Sequence, residues 1–239
     1  MSIITDDNNF NLITNVCKKY FNELKFGDVG NVNVLFSTDI YSDANKYLWM
    51  PPLDNIPNGC MLRTSKNIIL INYDIYKNDK TTLPITIFHE LTHWVDYNKF
   101  IKEYCNNKWG DIINHQLYNN FYLWSEYHAR LLSLYYGRCA MMFFDKSYLI
   151  EDIIGEFQSN ERIEIYKNTI KNKYNLSMCD IFTYCAQLYL CEFFNAKICI
   201  ENYIPNNIHE YFPSFKSLYY KLKNIQTYEK ASLNFESLI

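Results

Sequence analysis

The chain has 239 residues, of which 49% are hydrophobic. That is enough apolar material for a sizeable core and too much for a disordered chain. A formal charge of −3 and an isoelectric point near 6.0 exclude a global basic field able to hold a nucleic-acid backbone. With six glycines and six prolines against 22 tyrosines and 16 phenylalanines, the composition disfavours a turn-rich β-sandwich and favours helices.

The opening "MSIITDDNNF" shows no basic start followed by an apolar run, so a chain without a secretory signal is expected. No stretch approaches the ~20 apolar residues of a membrane span. Together these predict a cytoplasmic protein that does not engage a membrane. In a reducing compartment the eight cysteines are expected to behave as small core hydrophobes rather than as four disulfides. Cys179, Cys185 and Cys191 recur every six residues, a step of about 240° on a helix, so they share no face and read as core residues rather than a metal cluster.

Residues 9–26 predict a helix, with Leu12, Ile13, Val16, Tyr20 and Phe21 at helical spacing before Gly27 and Gly30 break the pattern. "NVNVLFS" (31–37) predicts a strand. Residues 50–59 hold three prolines and predict a loop. "CMLRTSKNIILINYD" (60–74) predicts two short strands around a turn at 64–67. The second of them is apolar on both faces, as an interior strand would be. A helix is expected from about 83 to 98, with Thr82 as its cap and Pro84 in its first turn. Further helices are expected over 115–137 (stopped by Gly137), within 148–174, over a strongly apolar 180–198, and over about 214–228 after Pro213. The pattern predicts an α+β fold in two parts: residues 1–145 with a small sheet and its helix, and residues 146–239 as a helical subdomain packed on it.

The chemistry concentrates in "TTLPITIFHELTHWVDY" (81–97). On a helix His89 and His93 are four apart and point the same way, about 40° apart around the axis. Two imidazoles on successive turns are placed to share a tetrahedral Zn²⁺. Glu90 lies about 100° around from His89, badly placed as a ligand and well placed to take a proton from a water beside the ion. At the observed residue frequencies about 0.006 such patterns are expected by chance. Carrying three polar groups among Ile85, Ile87, Phe88, Leu91, Trp94 and Val95 is also costly unless something partners them, and a metal is such a partner.

"HELTH" (89–93) resembles the signature of the zincin metallopeptidases, which implies a small sheet, an active-site helix, a bound zinc and a peptide or protein substrate. Zincins take a third protein ligand from farther along. The metzincin extension would need Gly at 96 and His at 99, where this chain has Asp96 and Lys99. The gluzincin branch takes a glutamate from a later helix. Glu126 in "LWSEYHAR" fits that role, with Tyr122, Ala129 and Ser133 on the same face. "SEYHAR" is similar to the Glu-x-x-Ala stretch of small prokaryotic gluzincins, including phage-repressor-cleaving types. His128 and Asp96 are the alternative third ligands. Asp96 also suits a role as acceptor for the second N–H of a ligand histidine.

The resemblance implies a zinc-dependent hydrolase of peptide bonds in which Glu90 is the general base, with His128, Tyr127 or Arg130 as candidate donors to the oxyanion or the substrate. His115 and His209 receive no role. Zincins bind peptides along a sheet edge, which residues 60–73 would supply by analogy. Two other readings stand beside it. One is a zincin scaffold that has lost turnover and serves as a regulatory or binding protein. The other is a deformylase-like amide hydrolase, because Gly59 and Cys60 match the middle of that family's Glu-Gly-Cys-Leu stretch, although Asn58 and Met61 depart from it.

Overall fold

The computed structural model describes residues 3–4, 7–46, 58–64 and 66–239. It is an α+β fold with a mainly helical C-terminal part. Four strands, β1 (Ile3–Ile4), β2 (Asn33–Ser37), β3 (Gly59–Met61) and β4 (Ile68–Asn72), form one sheet in the order β1-β2-β4-β3. In chain order the first helices are α1 (Asn8–Glu23), α2 (Ile40–Asn45), α3 (Tyr73–Tyr76) and α4 (Leu83–Tyr104). Then come α5 (Tyr118–Leu132), α6 (Arg138–Met141), α7 (Ile150–Gln158) and α8 (Asn160–Lys171). The last are α9 (Met178–Phe194), α10 (Asn206–Tyr211), α11 (Phe215–Asn224) and α12 (Tyr228–Ser232).

The chain divides into two compact units, one of residues 1–115 and 136–147, the other of residues 116–135 and 148–239. In the first unit β4 is the interior strand its sequence predicts. It pairs parallel with β2 on one side and antiparallel with β3 on the other, and all five of its residues are buried. Alternation splits its side chains between two layers. Ile68 and Leu70 face Ile40 and Ala44 of α2, with Leu35 and Cys60 packed on the same side. On α1, Phe10, Ile13, Cys17 and Phe21 are buried at helical spacing, and Phe10 meets the Phe36 ring edge-on at 4.5 Å. Asp7 starts α1 by accepting the Asn9 and Phe10 N–H groups, a cap the hydrophobic pattern alone does not show. Phe21 then packs against Phe88 of α4, 5.4 Å between ring centres.

Several boundaries differ from the sequence expectation. Most of the expected proline loop, residues 50–57, lies outside the described residues. Thr82 precedes α4 but its side chain caps nothing; Pro84 does open the helix, which runs on to Tyr104. The expected helix over 115–137 begins at Tyr118, after a 3₁₀ turn at Trp109–Asn114, and its last turn widens into a π-helical segment, Ser133–Gly137.

Gly137 is not a stop. It has right-handed helical angles (φ −62°, ψ −35°), and the chain continues into α6. Its role is close approach: a Cβ there would sit 2.7 Å from the Ile85 Cα and 3.1 Å from the Pro84 carbonyl oxygen. A backbone neighbour at that distance leaves no room for any other residue.

In the second unit the apolar 180–198 segment is α9, with Ile181, Phe182, Tyr184, Cys185, Leu188 and Cys191 buried among their neighbours. Ser177 and Asp180 form its capping box. The expected last helix, 214–228, is instead two helices broken at residues 225–227. The indole N–H of Trp124 takes the Ile225 carbonyl at 2.9 Å, which ties down the break. All eight cysteines are free thiols, five of them buried and Cys199 exposed.

Two glycine substitutions should move stability in opposite directions. Gly137→Ala should cost about 1–3 kcal/mol by overpacking against α4. Gly155→Ala, inside α7 with nothing within 4 Å of the new Cβ, should gain about 0.5–1 kcal/mol. Thermal unfolding followed by circular dichroism checks both; equal melting temperatures for the two variants would contradict the close approach at Gly137.

Candidate metal centre

α4 carries the polar set through a helix that is otherwise a core element. Phe88, Leu91, Val95 and Ile101 are buried along it. His93 is buried and His89 half-buried, and their Nε2 atoms converge to 3.0 Å with the rings 88° apart. Two imidazole ligands at 2.0–2.1 Å from a tetrahedral zinc stand about 3.3 Å apart. The pair thus needs to open by only a few tenths of an ångström to share an ion. Without one, a contact between two ring nitrogens holds only if one of them carries a proton. The geometry and the donor chemistry both fit a divalent metal.

Glu90 is only 7% exposed, and its Oε2 accepts the backbone N–H of Met61 at 2.7 Å. The pairing of β3 explains why that N–H is available. Leu62 donates to Ile68 and Asn72 donates to Asn58 across the ladder, so the N–H of Met61 points to the outer edge of the sheet. Gly59 permits the approach, since a Cβ there would meet Thr86 Cγ2 at 2.9 Å and Glu90 Cγ at 3.0 Å. Tyr76, from α3, shares a 2.6 Å hydrogen bond with Thr86 one turn before Glu90. Burial pushes the Tyr76 hydroxyl above its usual range, and the charge of Glu90 adds to the rise.

The remaining sequence candidates fall in different places. Asp96 is on α4 and 1% exposed. Cys60, the deformylase-like candidate, faces the α2 layer of the sheet rather than α4. Burial, reinforced by Glu90, pushes its thiol up to about 12. Glu126 is a half-buried residue of α5, between buried Ser125 and Tyr127. His128 lies flat against Trp124, 4.8 Å between ring centres and 24° between planes, inside the second unit. Burial in the same unit raises the Tyr127 hydroxyl well above its ordinary pKa, and Cys185 and Tyr189 add to the rise. Both side chains are buried. Arg130 is half-buried on α5. His115, given no role from sequence, packs its ring against Phe100 at 5.4 Å and Tyr104 at 5.5 Å.

The Met61 N–H and Tyr76 around Glu90 were not legible as site elements, and Gly59 was legible only as part of the deformylase-like stretch, not as a neighbour of Glu90. Each joins through the third dimension, and none has a spacing relative to "HELTH" that would reveal it. No family model, curated protein or solved structure matches this chain. Among the described residues, no helix is long and apolar enough to cross a membrane.

The thiol assignment is open to a direct check. At pH 8 a thiol with a pKa near 12 is ionised to about one part in 10⁴. Brief treatment of the native protein with iodoacetamide should modify exposed Cys199 and spare Cys60, as read by peptide mass mapping. Modification of Cys60 ahead of Cys199 would point to a thiolate there and restore it as a ligand.

Proposed function

We propose that this chain is a zinc-dependent hydrolase of peptide bonds, with His89, His93 and Glu126 holding the ion and Glu90 acting as general base. The observation that carries the reading is the convergence of two imidazole nitrogens on one helix, with a carboxylate on the intervening turn. Support for Glu126 comes from the sequence: it lies in "LWSEYHAR" on α5, a later helix than the one that carries the histidines, with Tyr122, Ala129 and Ser133 at helical spacing from it. Two neutral imidazoles and one carboxylate are a donor set that suits Zn²⁺ and leaves a fourth position for water or substrate.

When bound, the ion would supply Lewis acidity, making a water more acidic and a substrate carbonyl more electrophilic. The chain's own residues do the rest. Glu90 accepts the proton of the attacking water at a carboxylate oxygen and returns it to the leaving amine. Half-buried Thr86, one turn before Glu90, is held by its hydrogen bond to buried Tyr76. The outer edge of β3, with its outward N–H at Met61, offers a strand against which an extended peptide would align.

A second reading is favoured by one contact. The bond from Met61 to Glu90 already occupies the carboxylate, as expected of a regulatory or binding protein that keeps the metal without turnover. Glu90→Gln separates the two. The hydrolase reading expects unchanged zinc content and a loss of about 10²–10⁴ in kcat. Identical behaviour of variant and parent across a peptide library would end the hydrolase reading.

Glu126→Ala tests the third ligand separately. Zinc affinity, measured by competition with a chromogenic chelator, should fall by on the order of 100-fold or more. Unchanged affinity would remove Glu126 from the ligand set.

A further inference from the structure

Within the second unit, α5 is gripped on one face by the 225–238 segment. Two side-chain donors one turn apart on the helix take backbone carbonyls of that segment. Asn120 Nδ2 donates to the Phe235 carbonyl at 2.6 Å, and the indole N–H of Trp124 donates to the Ile225 carbonyl at 2.9 Å. Between these anchors the Phe235 ring lies 5.7 Å from Phe121, 5.8 Å from Trp124 and 6.1 Å from Tyr228. Phe121, Trp124 and Phe235 are fully buried, and Tyr228 is nearly so. Rings packed at this density have few alternative arrangements, so the cluster acts as a rigid contact.

The angular positions on α5 give the contact its consequence. A helix turns about 100° per residue, so Phe121, Trp124 and His128 fall within about 60° of one another. Glu126 stands about 140–160° around from each of them. The gripped face and the Glu126 carboxylate are therefore on opposite sides of one helix. A side chain reaching about 6 Å from the axis moves about 2 Å when the helix rotates by about 20°. A metal–ligand distance tolerates about 0.2 Å. Any such rotation would also pull Phe121 and Trp124 off the Phe235 ring and break both carbonyl bonds.

We propose that Phe235 and Trp124 are positioning residues for the metal centre, which fix the rotation of α5 and so the direction of the Glu126 carboxylate. This rests on the reading of Glu126 as third ligand. The competing account is that the ring cluster only adds to the core of the second unit, with α9 alone setting α5.

The experiment measures zinc affinity of the full chain by competition with a chromogenic chelator, with folding followed by circular dichroism. Phe235→Ala should lower the affinity about tenfold. Trp124→Phe, which keeps a ring but loses the indole N–H, should give a smaller loss in the same direction. Ile163→Ala removes a fully buried side chain from α8 of the same unit. It should lower the melting temperature as Phe235→Ala does and leave zinc affinity unchanged. In a Glu126→Ala background Phe235→Ala should have no further effect, because the group it aims is gone. If Phe235→Ala does not fold, Phe235→Leu takes its place, with a smaller loss expected.

Parental affinity in the folded Phe235 variant overturns the proposal. So does an equal loss in Ile163→Ala, or a loss that persists in full beside Glu126→Ala. Failure of the ligand reading looks different. Zinc affinity unchanged in Glu126→Ala, or no measurable zinc binding by the parent, removes the ligand assignment and the positioning role together. Weakened binding in Glu126→Ala with parental binding in the Phe235 variant removes the positioning role alone.

Discussion

The site depends on how α4 accommodates polar groups inside a core helix. A buried imidazole or carboxylate without a partner costs several kcal/mol, comparable to much of a domain's net stability. α4 meets that cost locally. His89 and His93 face each other across one turn, and Glu90 reaches the sheet edge. The helix can therefore bury Phe88 and Leu91 in the core of the first unit while the histidine pair and Glu90 keep polar partners. Close packing holds the arrangement in place: the glycine positions at 59 and 137 let β3 and the start of α6 come against α4 with no intervening side chain.

Much of the first unit was legible from sequence. β4 announced itself because a strand buried on both faces has no polar side to display, and α1 because five apolar residues fall at helical spacing. The histidine pair was legible because a four-residue step on a helix fixes direction without help from the rest of the fold. Boundaries were less so. Gly137 has the composition of a helix stop, but its local angles are helical, and the reason for the glycine lies in another helix. The break between α11 and α12 is likewise fixed from a distance, by an indole about a hundred residues earlier in the chain.

Residue roles were harder to read than elements. His128 and Tyr127 looked available beside Glu126, because sequence shows their chemistry and not the side of the helix that the core takes. Trp124 claims the face of His128, and the interior around α9 claims Tyr127. Cys60 lost its place for a similar reason: alternation along a short strand turns it to the α2 layer, while its neighbours on either side face α4. Conversely, the partner of Glu90 is a backbone N–H, which every residue but proline carries and no sequence pattern can mark.

That N–H has a consequence outside chemistry. A terminal strand with unoccupied backbone donors is a template on which a second chain can stack. The outward donor of Met61 is already capped by an anion, and an anion so placed also repels the carbonyl oxygens of any strand that tries to add there. The carboxylate thus acts as a doorkeeper for the sheet margin, discouraging adventitious pairing at Met61.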